Sequence, residues 1–182
     1  MIPITNLFDV PWSERSFGLI ALITLGTLMV GFGEELVMRG ILLNAVRARH
    51  GELAVLFITS IVFGLAHAPV FVLEGIPPLV IVFQVVALAA AGATYYWIRR
   101  VTGSLWIGIL VHAFTDWVLY LGAASETPSA SMPVDHTTNI NVPFAATVQI
   151  LLWIALTIVL ISVIRETRRN KQQMTVASGA AL

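Results

Sequence analysis

The sequence predicts an all-α fold, a polytopic bundle of about five transmembrane helices, and three observations support this prediction. The chain of 182 residues is 58% hydrophobic and only 11% charged, whereas soluble domains carry about 25% charged residues. Five apolar segments have the length that a helix needs to cross a bilayer. Basic residues follow three of these segments, as expected where a helix leaves the membrane on its cytosolic side. We therefore expect an integral membrane protein.

The apolar segments run approximately over residues 16–46, 52–73, 78–98, 104–122 and 144–164. A helix needs about 20 apolar residues to cross a hydrocarbon core of roughly 30 Å. The first segment is longer than a simple span, so we expect it to be tilted, broken near Gly31–Gly33 or extended into the cytosol. The only long loop, residues 123–143, is rich in Ser, Thr, Asn and Pro. It is interpreted as a solvated connector, with a substrate gate as the alternative.

Domain organisation and topology follow from the same pattern. We expect a single transmembrane domain over residues 1–172 and a short disordered tail at 173–182. The first residues are not typical of a signal peptide, because the first charges are Asp9 and Glu14. The positive-inside rule places the N-terminus outside and the C-terminus in the cytosol of what we expect to be a prokaryotic cell. The residues assigned to the cytosolic side are Arg47, Arg49, Arg99, Arg100, Arg165, Arg168, Arg169 and Lys171.

Charge and cysteine content exclude several classes of protein. The net charge is zero, which gives no support for binding to nucleic acid. The chain has no cysteine, and this excludes disulfides, thiolate metal sites and a cysteine nucleophile. Oligomeric state has no indicator in the sequence.

Ionisable side chains interrupt three of the apolar segments and indicate a functional site. Glu34, Glu35 and Arg39 lie in the first segment, His67 in the second, and His112 with Asp116 in the fourth. A charge at membrane depth costs several kcal/mol at least, so it needs a partner, a cavity or a function. Helical rise places these groups in one layer of the membrane. We therefore expect one polar site inside the bundle.

Residue spacing suggests which of these groups interact. Glu35 and Arg39 are i and i+4 and can pair along one helix face. The Glu34 side chain is turned by about 100° from that of Glu35, so it is free of this pair. Its carboxylate suits the role of a general base. His112 and Asp116 are also i and i+4 and can present a joint face to the bundle.

Structural roles are the alternatives for most of these residues. His67 and His112 could each be a core histidine bonded to a carbonyl. Phe63, one turn before His67, would pack beside it. The pair of Glu35 and Arg39 could be structural, and Asp116 could merely orient His112.

Three motifs in this order resemble the CPBP (Abi) family of intramembrane proteases. The motifs are Glu34-Glu35-x-x-x-Arg39, Phe63-x-x-x-His67 and His112-x-x-x-Asp116, within residues 32–117. That family contains the type II CAAX prenyl endopeptidases and proteins of bacteriocin processing and self-immunity. The resemblance implies a peptidase, either glutamate-dependent or of the metallo type, that hydrolyses a membrane-associated peptide or protein substrate.

The resemblance also implies roles for the matching residues. Glu34 would activate the hydrolytic water with help from His67. His112 and Asp116 would stabilise the oxyanion or complete the site, while Glu35 and Arg39 would fix the first helix.

The resemblance leaves the question of a metal open. Glu34, His67 and His112 could hold Zn²⁺ with an open position for water, or the groups could act without metal. The third motif ends in Asp116 where Asn is common, and an ionised Asp cannot donate to an oxyanion. Asp116 would then have to be protonated, bind a metal or orient His112. Met38 stands where Phe is usual, which is a packing change.

Two other functions compete with the endopeptidase. One is a non-catalytic membrane immunity or scaffold protein that retains the family site. The other is a transporter or proton pathway, since intramembrane Glu and His residues also build relays. The apolar third and fifth segments hold little polar surface beyond Gln84 and Gln149, which argues against such a pathway.

Overall fold

The computed structural model describes residues 7–8, 10–123, 153–154, 156–169 and 172–173 of the chain. Throughout this part the secondary structure is helical, without strands, and the predicted all-α fold is confirmed. Of the predicted loop at 123–143, Ala123 is helical and the rest lies outside the described residues, as do the start of the fifth predicted segment and nearly all of the tail at 173–182.

The helices follow each other with short connections. In chain order they are a 3₁₀ turn, Trp12–Glu14; α1, Phe17–Glu35; a π-helical segment, Leu36–Leu42; α2, Leu43–Arg47; α3, Glu52–Ala66; α4, Ala68–Leu73; α5, Pro78–Thr102; and α6, Leu105–Ala123. Residues 153–154 and 156–169 are also helical. The hydroxyl of Ser16 accepts a hydrogen bond from the Leu19 amide at 3.2 Å and caps the start of α1. Gly103, with φ of 68°, forms the turn from α5 to α6.

Four stretches in the described residues are long and apolar enough to cross a membrane. They are Phe17–Arg47 with 31 residues, Glu52–Leu73 with 22, Pro78–Thr102 with 25 and Leu105–Ala123 with 19. These spans agree with the first four predicted segments, and they identify an integral membrane protein. The long first segment is not broken at Gly31–Gly33, where α1 continues; it changes to a π-helix at Leu36.

The chain divides into two compact units. Unit 1 comprises Met1–Gly40 and Ile98–Gln149, and unit 2 comprises Ile41–Trp97 and Ile150–Leu182.

Unit 1 is built on a close approach of α1 and α6. A Cβ at Gly31 would lie 3.0 Å from the backbone nitrogen of Ala113 and 3.1 Å from the carbonyl oxygen of Ile109. Only a residue without a side chain lets two helix backbones come this near. Because Gly31 precedes Glu35 by about one turn and Ala113 adjoins His112, this contact brings the acidic motif beside the histidine. Further along α6, Val118 and Leu121 are buried in an apolar cluster of this unit.

Unit 2 is held together by a similar contact between α3 and α5. A Cβ at Gly64 would overlap the carbonyl oxygen of Val85 and would lie 3.0 Å from the backbone nitrogen of Ala89. Phe63 is buried one residue earlier, against Gly92. The core of this unit comprises Leu43, Val55, Leu56, Ala93, Tyr96, Val159 and Val163.

Replacing Gly64 by Ala is expected to destabilise the protein by about 1–3 kcal/mol, the usual effect of overpacking. The new methyl group meets backbone atoms of α5, which cannot move aside as a flexible side chain can. Thermal unfolding of the full chain in detergent measures the effect. Gly26→Ala is the matched control, because a Cβ at Gly26 meets nothing within 4 Å. Equal melting temperatures for both variants would contradict the close contact.

Candidate active site

Unit 1 brings five of the six predicted site residues together. Glu34 and Glu35 are the last two residues of α1, and Arg39 lies in the π-helical segment that follows. His112 and Asp116 lie one turn apart in the middle of α6.

Glu35 is the centre of this cluster. One oxygen of its carboxylate, Oε1, accepts hydrogen bonds from Arg39 Nη1 at 2.8 Å and from His112 Nδ1 at 3.0 Å. The side chains of Glu35 and Arg39 are fully buried, so each charge has its partner inside the protein. The predicted pairing of Glu35 with Arg39 is confirmed. The bond from His112 to Glu35 was not predicted, and it gives Glu35 a second task, that of orienting the imidazole.

The bond to Glu35 also determines how His112 presents its second nitrogen. A carboxylate oxygen accepts, so Nδ1 carries a hydrogen and Nε2 points to the other side of the ring. There Nε2 lies 3.8 Å from Glu34 Oε2 and 3.5 Å from Asp116 Oδ2. Both distances exceed the roughly 2.7–3.2 Å of a direct N–H···O bond.

The cluster therefore has a closed side and an open side. The side chains of Glu35 and Arg39 have no exposed surface, whereas 33% of Glu34 and 21% of Asp116 are exposed. His112 lies between them with 5% exposed. Glu34 and Asp116 thus reach the surface in part, whereas Glu34 Oε2, the carboxylate oxygen nearest His112 Nε2, is itself buried.

Gly108 makes room for Glu35 from the opposite helix. A Cβ at this position would lie 3.3 Å from Glu35 Oε2. Gly108 is one turn before His112 on α6, so the two residues face Glu35 together. Sequence reasoning missed this residue. The available signal was a glycine inside an apolar helix, four residues before a histidine.

The π-helical segment, Leu36–Leu42, was also not predicted. It begins directly after Glu35 and contains Arg39. Such segments are rare and occur frequently at functional sites. It therefore lies directly beside the acidic motif in the first span.

His67 belongs to unit 2 and is described there by itself. It follows the last residue of α3, and its Nδ1 lies 2.8 Å from the carbonyl oxygen of Phe63. Since a carbonyl only accepts, Nδ1 donates, and Nε2 of the neutral ring is an acceptor. The Phe63 ring packs beside the imidazole with centroids 5.1 Å apart, which confirms the predicted contact. The contribution of His67 to a site shared with Glu34 stays a prediction.

The predicted zinc ligands are Glu34, His67 and His112. Within the part of the chain that the structure describes, no group of three or more His, Cys, Asp or Glu side chains is arranged to hold a metal ion. Glu34 and His112 lie in unit 1 and His67 in unit 2. Zinc at Glu34, His67 and His112 therefore stays a prediction.

Fold and site together define a helical membrane protein with a buried carboxylate–imidazole cluster at the end of its first long helix. A family model described as "Type II CAAX prenyl endopeptidase Rce1-like" matches residues 16–118, more than half of the chain. The chain belongs to this family of proteases, and the matched region contains every residue of the cluster and His67. Comparisons with curated proteins and with solved structures found no match.

Proposed function

We propose that this protein is an intramembrane endopeptidase that hydrolyses a peptide bond of a membrane-associated substrate. The observation that carries the proposal is the carboxylate–imidazole cluster, in which Glu34 Oε2 lies 3.8 Å from His112 Nε2 between apolar spans. Membership of a protease family supports it.

Glu34 is the general base in this proposal. Its carboxylate takes a proton from a water molecule while the water oxygen forms a bond to the scissile carbonyl carbon. The resulting acid then returns the proton to the leaving nitrogen as the carbon–nitrogen bond breaks. His67 assists because its Nδ1–H is held by the Phe63 carbonyl, so that Nε2 can accept a hydrogen bond from the attacking water.

His112 stabilises the oxyanion in the same proposal. Its Nδ1–H is already bonded to Glu35, so Nε2 donates to the oxyanion only when the ring is an imidazolium. In this proposal Glu35 orients the imidazole from one side and Asp116 holds it from the other. Asp116 thereby acts through His112, which accounts for an Asp where the family commonly has Asn.

Zinc held by Glu34, His67 and His112 is the second form of this proposal. Side chains alone supply every step described for the first form. A chelator that abolishes cleavage, with recovery on adding zinc, would distinguish the metal-dependent form.

The topology proposed from the basic residues places the N-terminus outside and the C-terminus in the cytosol. Because the chain has no cysteine, single-cysteine variants report topology without background. Gly51→Cys, in the turn between α2 and α3, is expected to react with an impermeant maleimide only from the cytosolic side. Gly75→Cys, in the turn after α4, is expected to react only from outside. The reverse pattern would overturn the orientation.

Peptide hydrolysis by the purified full chain in liposomes tests the function. The substrates are a farnesylated CAAX-type peptide and the same peptide without the lipid, and products are identified by mass spectrometry. We expect cleavage at one bond, with one solvent oxygen in the new carboxyl group when the reaction runs in heavy-oxygen water. A folded chain that cleaves neither peptide would favour the immunity or scaffold function, in which the site binds a peptide without hydrolysing it.

His67→Ala is expected to lower kcat/KM by at least about tenfold, the effect of one hydrogen bond lost in the transition state. The variant keeps the α3–α4 backbone because His67 is only half buried. Val72→Ala, an exposed position of α4, is the control for small changes of packing. A full rate in His67→Ala would remove His67 from the mechanism.

A further inference from the structure

A groove in unit 2, whose lining begins six residues after Arg39, has the properties of a lipid site. It encloses about 470 Å³ and lies where α2 ends and the chain turns toward α3. Its lining comprises Ala45, Val46, Ala48, Arg49, His50 and Ile58.

The groove extends from the membrane surface into the apolar layer. The first span ends at Arg47, and the second begins at Glu52, so Arg49 and His50 lie in the turn between two membrane helices. Ile58 is six residues into α3, which at about 1.5 Å per residue is about 9 Å deeper. One end of the groove is therefore polar and interfacial, and the other is apolar.

The two arginines at this turn differ in their partners. Arg47 Nη2 donates to Glu52 Oε2 at 3.0 Å, and Tyr96 donates to the same oxygen at 2.6 Å. Arg47 is thus neutralised within unit 2. Arg49 and His50 are exposed, and neither side chain makes a hydrogen bond or ion pair within the described part of the chain. Among the described residues, the groove thus presents one guanidinium without an ion-pair partner, together with an imidazole N–H.

We propose that this groove binds one anionic phospholipid. The lipid phosphate accepts hydrogen bonds from the Arg49 guanidinium, which can donate to two phosphate oxygens at once. It also accepts one from a ring N–H of His50, and the imidazole carries such an N–H in either charge state. The start of an acyl chain lies along Val46 and Ile58. A phospholipid matches the groove because it carries its charge at the interface and its apolar part deeper, and basic pockets at the ends of membrane helices favour anionic headgroups. The bound lipid ties the α2–α3 turn to the bilayer surface.

Native mass spectrometry of the full chain in detergent tests the proposal. The wild type is titrated with phosphatidylglycerol and, separately, with phosphatidylcholine of the same acyl chains. We expect one phosphatidylglycerol to be retained more tightly than phosphatidylcholine. Arg49→Gln is expected to weaken phosphatidylglycerol binding by about fivefold, the contribution of one basic residue near an anionic surface. Ile58→Trp, which fills the deep end, is expected to weaken both lipids.

The controls separate this site from general surface charge. Arg169→Gln removes an exposed basic residue of the same unit that does not line the groove, and it is expected to bind as the wild type does. Equal losses in Arg49→Gln and Arg169→Gln would overturn the proposal in favour of diffuse attraction. Displacement of the lipid by inorganic phosphate alone at an equal concentration would overturn it in favour of a free-phosphate site. Unchanged circular dichroism and melting confirm that each variant is folded.

Discussion

Replacing Glu34 by Gln is expected to lower the rate of peptide cleavage by roughly 10²–10⁴-fold, the contribution of a general base. The amide has the shape of the carboxylate, but it cannot take a proton from the attacking water. A third of the Glu34 side chain is exposed, so the exchange leaves the packing of unit 1 in place. The measurement is kcat/KM for the farnesylated peptide with the reconstituted full chain.

Glu74→Gln is the matched control for this prediction. Glu74 is an exposed acid in the turn after α4, and the same chemical change there should leave the rate unchanged. Equal melting temperatures of the two variants show that a loss of rate is a loss of chemistry. A full rate in Glu34→Gln would exclude Glu34 as the base.

Replacing Arg39 by Met is expected to lower the free energy of unfolding by about 3–5 kcal/mol, the usual effect of removing one partner of a buried ion pair. Arg39 is fully buried, and without it Glu35 would keep a buried charge that only the hydrogen bond from His112 compensates within the described residues. Unfolding of the full chain by denaturing detergent in mixed micelles measures the change. Cleavage should also fall, since Glu35 orients His112.

The double variant Glu35→Gln/Arg39→Met separates lost charge compensation from lost packing. It removes both charges while keeping side chains of similar size, so we expect most of the stability to return. Cleavage should remain low, because a neutral amide accepts a weaker hydrogen bond from His112 Nδ1 than a carboxylate does and therefore orients the imidazole less firmly. If Arg39→Met alone unfolds as the wild type does, the pair has no structural role.

Local geometry explains what could be predicted from the sequence. The pairs Glu35–Arg39 and Phe63–His67 are each four residues apart, and helical spacing alone brings their side chains together. The first four membrane spans were predictable because a run of about twenty apolar residues is typical of a membrane-spanning helix.

The unpredicted features depend on tertiary structure. The bond from His112 to Glu35 requires α6 to be rotated so that His112 faces the end of α1, and hydropathy does not specify that rotation. Gly108 beside Glu35 and Gly31 against Ala113 depend on the same approach of two helices. The π-helical segment was not predictable either, because residues 36–42 carry no pattern that distinguishes a π-helix from an α-helix.

The central claim is that Glu34 and His67 activate one water molecule, and the distance between them in lipid tests it most directly. A crystallographic or cryo-electron microscopy structure of the full chain in a lipid environment gives the separation of the Glu34 carboxylate and His67 Nε2. We predict that both groups lie within about 2.6–3.2 Å of one water oxygen and that His112 Nε2 faces the same water. His67 Nε2 directed away from Glu34, toward lipid or a separate core, would contradict the shared site and the proposed mechanism with it.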